Sequence, residues 1–394
     1  MSNIDYEYNG RELVLELKGH IDSANSTVVE GRINVIKEGH DIDRIVIDCE
    51  KLEYISSAGL RIILRLKKNI TDTSLINVST DVYEVLDVTG FTEMMDVKKA
   101  FRVVNVEGCE VIGQGANGVV YRLSPDTVVK CFHNPDSLAE IDHERDLART
   151  AFITGLPTAI PFDIVRIASG GYGSVFEMLN ATNCAKAIIR GEKTVDEVAQ
   201  ICVDLLKQIH ATVIKPGLVP DMRETVIGWA SFLEDYLPVD VYKKLYEMVV
   251  AIPEDNHLVH GDYHMKNVML QNGEAMLIDM DTLCHGNPIY EFASIFNAYI
   301  GFETVGINTT KEFFGVPFQQ CKELFDKIMN KYFDDKNDEE IKAISEKAAI
   351  IGYTRVMRRT IRRNGFETEE GRKTIEKCKD ILCDLIPKHD TLMY

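Results

Sequence analysis

The chain has 394 residues, of which 45% are hydrophobic and 27% are charged, and its formal net charge is −18. That length allows two or three domains, and the composition is ordinary for a globular protein. The acidic excess argues against a nucleic acid as the ligand, because binding a phosphate backbone requires a surplus of Lys and Arg. It favours cationic or neutral small substrates, and it permits Mg-nucleotide, which needs only a local cluster of positive and metal-binding groups.

The cysteines and the apolar segments indicate a cytoplasmic protein. The nine cysteines form no CxxC pair and no zinc-ligand pattern, so reduced thiols in a reducing compartment are expected. The first ten residues lack the basic and apolar regions of a signal peptide. The apolar stretches are strand-length, well short of the roughly 20 residues that span a bilayer. We therefore expect no association with a membrane.

The first hundred residues alternate between strand and helix patterns. Residues 11–19 show the period-2 alternation of a strand, 44–49 form a short apolar run, and 57–68 form an amphipathic helix with basic residues at its C-terminal end. The remaining patterns are a helix at 23–37, a strand at 75–78, a helix at 80–86 and a strand at 95–103. This alternation with short links predicts a compact α/β domain over residues 1–104.

A serine pair lies where a strand leads into the helix of 57–68. Ser57 has two physical uses there: its oxygen can cap the helix, or it can carry a phosphate that faces free N–H groups and the positive end of the helix dipole. The surrounding sequence resembles the anti-sigma-factor antagonist (STAS) domain over about residues 5–103. The matching residues are Gly19, Ile21 and Asp22, Ile45 to Asp48, Ser57 to Leu60, and Val88 to Phe91.

The STAS resemblance implies that Ser57 is a phosphorylation switch and that the unphosphorylated domain binds a partner protein. Ser56 stands where the family commonly has an aspartate, and Ala58 follows the switch position. The phosphosite and the plain helix cap therefore remain two alternatives for Ser57.

A glycine-rich segment opens the second part of the chain. Gly113, Gly115 and Gly118 lie between two strand patterns, not between a strand and a helix. A GxGxxG that opens a helix would indicate a dinucleotide fold, whereas one in a hairpin is typical of a flap over ATP phosphates. Glycine suits such a flap because no Cβ keeps the phosphates from the backbone. A plain tight hairpin is the alternative.

Lys130 lies on the next strand. Its neighbours Val129 and Cys131 point to the opposite face, so the ammonium is expected in the cleft, where it can bind the α- and β-phosphates. The expected partner is a glutamate of the next helix; Glu144 is our choice and Glu140 is the alternative.

The strongest pattern is HGDYHMKN at 260–267, followed by IDMD at 278–281. Phosphoryl transfer needs a carboxylate that accepts the proton of the attacking hydroxyl, and it needs oxygen ligands for Mg²⁺. Asp262, Asn267 and Asp279 supply those groups, with two strand-like segments holding the loop between them.

These motifs strongly resemble those of the aminoglycoside and choline phosphotransferase family. The segment GNPIYE at 286–291 is similar to the family's GDPxYD, with Asn and Glu in place of the two aspartates. The resemblance covers about residues 107–390. It implies an α+β protein-kinase-like bilobal domain, with an antiparallel-sheet N-lobe at 105–180 and a helical C-lobe at 181–394.

The family resemblance also implies roles for the residues of these motifs. Asp262 would be the catalytic base, Asn267 and Asp279 the Mg²⁺ ligands, and Lys130 the phosphate anchor. Asp281 would assist the metal or a cationic acceptor.

The same resemblance places an adenine-binding hinge at 176–179. Backbone groups around Glu177 and Met178 would read the base there. His260 and His264 are expected to brace the catalytic loop rather than to carry protons.

Three functions from different classes fit this sequence. The first is transfer of the ATP γ-phosphate to a hydroxyl of a small molecule. It is favoured because the path from Asp279 to the helix near Tyr290 is too short for a peptide-docking activation segment, and because the loop reads HGD rather than HRD. The second is a protein serine kinase or autokinase acting on Ser57 or on a partner's matching serine. The third is a nucleotide sensor without catalysis, which would have no need of the base Asp262.

The sequence does not identify the acceptor. Five arginines fall on one helix-like stretch, at Arg355, Arg358, Arg359, Arg362 and Arg363. They fit an anionic acceptor or partner, but we expect a solvated basic face. The single tryptophan, Trp229, is expected to contribute packing.

Overall fold

The computed structural model describes residues 4–115 and 117–394. Ala116 of the glycine-rich segment and the first three residues of the amino-terminal segment lie outside the described residues. The chain divides into two compact units, residues 1–104 and 105–394.

The first unit is an α/β domain built on a five-stranded sheet of order β1-β2-β3-β4-β5. Its strands are β1 (Ile4–Asn9), β2 (Glu12–Ile21), β3 (Arg44–Ile55), β4 (Asp72–Val78) and β5 (Val97–Lys99). Its helices are α1 (Ser26–Lys37), α2 (Ser57–Asn69), α3 (Thr80–Val88) and α4 (Phe91–Met94). Strand β1 runs antiparallel to β2, and the other pairs are parallel. The strand expected at 95–103 is divided, because β5 ends at Lys99 and a separate strand β6 (Arg102–Val104) follows.

Alternation along the strands builds the core of this domain. Leu13, Leu15 and Leu17 of β2 are all buried, while the residues between them are only partly so. Ile33 of α1 and Ile63 of α2 belong to the same apolar cluster. Removal of this surface from water is the main force that holds helices against a sheet.

Helix α2 begins one residue earlier than a cap at Ser57 would require. Ser56 has extended backbone angles (φ −91°, ψ 173°), and its hydroxyl accepts a hydrogen bond from the N–H of Ala58 at 3.2 Å. Ser57 is the first helical residue and its side chain is exposed. The helix-cap alternative for Ser57 is therefore wrong, because an N-cap residue needs non-helical angles and Ser56 is the one that has them.

The second unit starts with an antiparallel sheet and one helix, as expected for the N-lobe. The strands are β7 (Val111–Gln114), β8 (Gly118–Arg122), β9 (Thr127–Phe132), β10 (Pro161–Ile167) and β11 (Tyr172–Glu177), and the helix is α5 (Leu138–Ile153). These strands are ordered β10-β11-β9-β8-β7, and each neighbouring pair is antiparallel.

The rest of the second unit is mainly helical. Its helices are α6 (Cys184–Ile189), α7 (Val195–Ala211), α8 (Met222–Phe232), α9 (Val239–Val250), α10 (Ile289–Phe296), α11 (Phe302–Thr304), α12 (Phe318–Tyr332), α13 (Asp338–Arg362) and α14 (Glu369–Leu385). Short strands hold the loops between them: β12 (Thr182–Asn183), β13 (Leu258–Val259), β14 (Val268–Gln271), β15 (Glu274–Leu277) and β16 (Cys284–His285). The bilobal α+β architecture is confirmed. Across residues 4–115 and 117–394, every helix is too short or too polar to cross a bilayer.

The start of α2 gives a first testable prediction. Replacing Ser56 by Ala removes the side-chain acceptor of the first helical turn, which costs about 1 kcal/mol. The backbone amides of α2 in the full chain should then exchange with deuterium about fivefold faster. Ser57→Ala is the matched control and should leave the exchange rate unchanged. Equal acceleration in both variants would show that Ser56 is not the cap.

Candidate active site

A cleft of about 580 Å³ in the second unit brings the candidate site residues together. The predicted residues that line it are Gly113, Gly115, Gly118, Lys130, Glu144, Glu177, Met178, Asp262, Asn267 and Asp279. His264 and Asp281 also line it, whereas the exposed Glu140 does not. Ser57 belongs to the first unit.

The glycine-rich hairpin forms one wall of the cleft, and its glycines have different reasons to be there. The N–H of Gly115 donates to the carbonyl of Gly118 at 3.0 Å, closing the turn between β7 and β8. A Cβ on Gly118 would lie 2.2 Å from the Cys131 carbonyl oxygen, so only glycine fits beside β9. A Cβ on Gly115 would meet open space. Packing against β9 thus requires glycine at 118, whereas at 115 the absence of a side chain leaves open space beside the turn.

Lys130 joins the two lobes through charge. Its Nζ lies 2.7 Å from Glu144 Oε1 of α5 and 3.2 Å from Asp279 Oδ1 of the C-lobe. The Lys130 and Glu144 side chains are only 16% and 7% exposed. Burial alone would lower the pKa of Lys130, but the carboxylates of Asp279 and Glu144 outweigh it, and the net shift is upward. Burial raises the pKa of Glu144, against the attraction of Lys130. Such a pair is stable only while both charges are present.

The backbone of the catalytic loop rests on a buried carboxylate that the sequence did not single out. Glu291 of α10 is fully buried, and its two oxygens accept the backbone N–H of His260 at 2.6 Å and of Gly261 at 3.0 Å. Gly261 has φ +81°, and a Cβ there would lie 2.6 Å from the Thr282 carbonyl oxygen. The loop therefore needs both glycine at 261 and an acceptor below it. The only signal in the sequence was the position of Glu291 at the end of the GNPIYE segment.

His260 ties this loop to both ends of the second motif. Its Nε2 lies 3.3 Å from the Ile278 carbonyl, and its own carbonyl accepts the hydroxyl of Thr282 at 2.8 Å. His264 lies with Nε2 3.6 Å from Asp262 Oδ2. Burial, the largest influence, lowers the pKa of His264, despite the opposing carboxylate of Asp262. Its imidazole is therefore neutral at physiological pH.

The oxygen-bearing side chains around Asp262 fit a divalent cation. The Nδ2 of Asn267 donates to the Asp262 backbone carbonyl at 3.0 Å, which leaves its Oδ1 as a ligand. The pKa of Asp281 is raised to about 7, chiefly by burial and next by the repulsion of the Asp279 carboxylate. Crowded oxygen ligands of this kind are what Mg²⁺ prefers. Within the described parts of the chain, no three His, Cys, Asp or Glu side chains are grouped closely enough to hold a metal by themselves, so phosphate oxygens and water would have to complete the shell.

The backbone N–H groups of the hinge segment are hydrogen-bonded to neighbouring parts of the N-lobe. The N–H of Met178 donates to the Asp126 carbonyl, and the N–H of Glu177 donates to the Ile160 carbonyl, both at 2.9 Å. The Glu177 carboxylate in turn accepts the Ile160 N–H at 3.2 Å. Glu177 therefore fixes the hinge to the residue that directly precedes β10.

Arg355 also lines the cleft, contrary to the solvated basic face expected for its helix. Its Nη1 lies 3.4 Å from the Gly261 carbonyl, and its guanidinium lies 5.5 Å from the centre of the Trp229 ring. Helical periodicity in the sequence gives the relative direction of these arginines but not what they face.

Loss of the Glu291 carboxylate should impair catalysis more than nucleotide binding. In Glu291→Gln one oxygen becomes an NH₂ group that faces a backbone N–H, so a buried donor loses its acceptor. A displacement of Asp262 by about 1 Å would lower kcat about 100-fold. ATP turnover and ADP affinity are the two measurements, and ADP affinity should change little. Glu303→Gln, at a carboxylate outside the cleft lining, is the control; an unchanged kcat in Glu291→Gln would contradict this role.

Comparison with known proteins identifies the domain family of the first unit. A model of the STAS domain matches residues 3–105. BtrV of Bordetella bronchiseptica, named as an anti-sigma factor antagonist, is 32% identical over 90 residues, which are 22% of this chain and 76% of that protein. The anti-sigma F factor antagonist of Paenibacillus polymyxa is 24% identical over 98 residues, 24% of this chain and 84% of that protein. The expected STAS domain is confirmed.

A second family model matches much of the second unit, and solved phosphotransferase structures are similar to the chain. Aminoglycoside phosphotransferase APH(4)-Ia, complexed with AMP-PNP and hygromycin B, is 15% identical with a TM-score of 0.49, covering 71% of this chain and 94% of that one. The ADP-bound aminoglycoside phosphotransferase APH(2'')-Ib is 15% identical with a TM-score of 0.49, and the match covers 78% of this chain and 98% of that one. The model of the phosphotransferase enzyme family (APH) matches residues 108–310, more than half of the chain. The chain therefore belongs to the phosphotransferase enzyme family and carries a STAS domain in its N-terminal part.

Proposed function

We propose that this protein transfers the γ-phosphate of ATP to a hydroxyl group of a small molecule. The observation that carries the proposal is the cleft in which the Lys130–Glu144 pair, Asp262, Asn267 and Asp279 line one space. Phosphoryl transfer depends mainly on positioning and on stabilising charge, and these residues provide both.

Asp262 is the proposed catalytic base. The acceptor oxygen attacks the γ-phosphorus, and its bond to phosphorus forms as the bond to the β,γ-bridging oxygen breaks and ADP leaves. Asp262 accepts the proton of the hydroxyl. Its side chain is 42% exposed, so an incoming acceptor can reach it, and the loop below is fixed by Glu291.

Lys130 is the proposed anchor of the α- and β-phosphates, and Glu144 positions it. Asn267 and Asp279 would hold Mg²⁺, which when bound neutralises charge on the phosphates. The repulsion between Asp279 and Asp281 is consistent with a cation between the carboxylates and the nucleotide.

Adenine is proposed to bind at the hinge through backbone groups. Since the N–H of Met178 is already donated to Asp126, a purine would meet Met178 through its carbonyl oxygen.

The segment after Asp279 favours a small acceptor over a peptide. Residues 283–287 are all buried, and Gly286 would place a Cβ 3.0 Å from the Tyr290 ring. A segment packed in this way offers no exposed shelf on which a peptide could lie, whereas protein kinases dock peptides on a longer activation segment.

A protein serine kinase is the second candidate, because of Ser57. Its side chain is exposed at the first position of α2, where a phosphate would face helix N–H groups. In this function the STAS domain would be the substrate. In the first function it would regulate the enzyme or bind a partner protein.

Asp262→Asn should reduce phosphate transfer about 10²- to 10⁴-fold, because the base is lost while its shape is kept. The measurement uses γ-labelled ATP, Mg²⁺ and a cell metabolite extract, with exposed Asp235→Asn as the control. Label should appear on small molecules with the parent protein and the control, but hardly with Asp262→Asn. Label that appears only on protein, and disappears in Ser57→Ala, would favour the serine kinase instead.

Lys130→Met should weaken nucleotide binding about 10- to 100-fold, the effect of one charge-assisted hydrogen bond. Titration with ADP in the presence of Mg²⁺ measures this affinity directly. Lys193→Met removes another lysine that pairs with a glutamate, on the surface, and should bind ADP as the parent does. Unchanged affinity in Lys130→Met would exclude it as the phosphate anchor.

A further inference from the structure

We propose that the acceptor of this enzyme is itself an anion: a small hydroxyl compound with a phosphate or carboxylate group that Arg355 and Arg359 of α13 bind. The inference rests on the proposed phosphotransferase function and specifies the substrate class of the same cleft.

The first observation is the position of the arginines beside the proposed base. Arg355 lines the cleft together with Asp262, and its Nη1 contacts the carbonyl of Gly261, the residue before that base. Arg359 follows one helical turn later on the same face. Burial lowers the pKa of Arg359, as do Arg363 and Arg355, while Asp262 opposes them. Both guanidinium groups are thus within electrostatic reach of the site where the hydroxyl reacts.

The second observation is that this positive charge has no internal counter-charge. In residues 4–115 and 117–394, no carboxylate lies within ion-pair distance of the five arginines of α13 and its end, Arg355, Arg358, Arg359, Arg362 and Arg363. The chain has 62 acidic and 44 basic residues, so acidic partners are abundant elsewhere. Arg355 is the member of this unpaired group that lines the cleft, and an arginine without a counter-charge at a cleft in so acidic a chain indicates an external anion.

The third observation is that aromatic rings hold these guanidinium groups in place. The guanidinium carbon lies 5.5 Å from the Trp229 ring in Arg355, 5.7 Å from Phe232 in Arg358 and 5.5 Å from Phe302 in Arg359. A ring at this distance orders the side chain and leaves N–H donors at the edge of the guanidinium, of which Arg355 directs Nη1 at the Gly261 carbonyl. The Nε of Arg358 is buried without a hydrogen-bond partner. Ordered guanidinium donors match the geometry of phosphate and carboxylate oxygens.

The local charge outweighs the overall charge in deciding the acceptor. The net charge of −18 favours cations at long range, but screening limits exposed charges to about 8–10 Å in physiological salt. A cationic acceptor would have to place its charge beside Arg355 and Arg359. An anionic acceptor gains a pair there and still presents a hydroxyl to Asp262.

The test separates the metabolite extract by ion exchange into anionic, neutral and cationic pools before labelling. With γ-labelled ATP and Mg²⁺, the label should appear on members of the anionic pool. Label confined to the neutral or cationic pool would overturn this inference and leave the phosphotransferase function in place. Label in no pool would contradict the function itself, and with it the inference. Label on protein alone would replace the small acceptor by a macromolecule.

Variants test which arginines bind the anionic acceptor. With the anionic pool at low concentration, Arg355→Gln/Arg359→Gln should transfer about 10- to 100-fold less label. A high concentration of the pool should restore much of the rate, since binding is what is lost. Arg362→Gln/Arg363→Gln, at exposed positions outside the cleft lining, is the matched control and should behave as the parent.

A merely structural role of Arg355 gives a different result. If the contact with the Gly261 carbonyl were its whole contribution, the rate would stay low at high acceptor concentration. Arg355→Lys/Arg359→Lys keeps the charge and should recover part of the lost affinity. ADP affinity, measured in every variant, shows whether the cleft is still folded.

Discussion

Around Lys130, one ammonium group is shared among several carboxylates. Lys130 contacts Glu144 and Asp279, and the repulsion of Asp279, Glu144 and Asp262 adds to burial in raising the pKa of Asp281 to about 7. A single ammonium cannot neutralise four carboxylates in a partly buried site. Lys130 belongs to the sheet of the N-lobe and Asp279 to the loop after β15 in the C-lobe. The excess of negative charge therefore lies between the two lobes. Cations that arrive with a nucleotide would relieve it and free Lys130 for the phosphates.

The loop that carries the proposed base is held in a different way. Glu291 accepts two of its backbone N–H groups, and Ser294 donates to the Gly261 carbonyl at 2.9 Å. Glu291 and Ser294 are both buried in the helical lobe, and these contacts are hydrogen bonds to backbone groups rather than ion pairs. In the proposed function, the site would combine a fixed base with charges that can redistribute around the phosphates, which suits a reaction driven by positioning and electrostatics.

The sequence revealed the parts of this site whose chemistry lies in contiguous motifs. The placement of Lys130 on a strand, of the glycines in a hairpin and of a STAS domain before them follows from local patterns. Local patterns could not choose between adjacent serines, because the cap is set by the backbone angles of Ser56 and not by its residue type. They also could not show that Glu291, which stands in place of an aspartate of the family segment, is buried beneath the loop of Asp262, since burial depends on how α10 packs.

The arginines of α13 illustrate how the net charge of a chain can differ from the charge around one site. A net charge describes the whole surface, whereas a substrate meets only the groups within a few ångströms of its path. Glu144 and Asp279 contact Lys130 in this cleft, whereas Arg355 contacts the carbonyl of Gly261, next to Asp262. In the proposed reaction, an acceptor would meet the positive charge of Arg355 and react beside the carboxylate of Asp262. This polarity fits a negatively charged acceptor, whose anion would be held apart from the phosphates of the nucleotide while its hydroxyl is brought to the base.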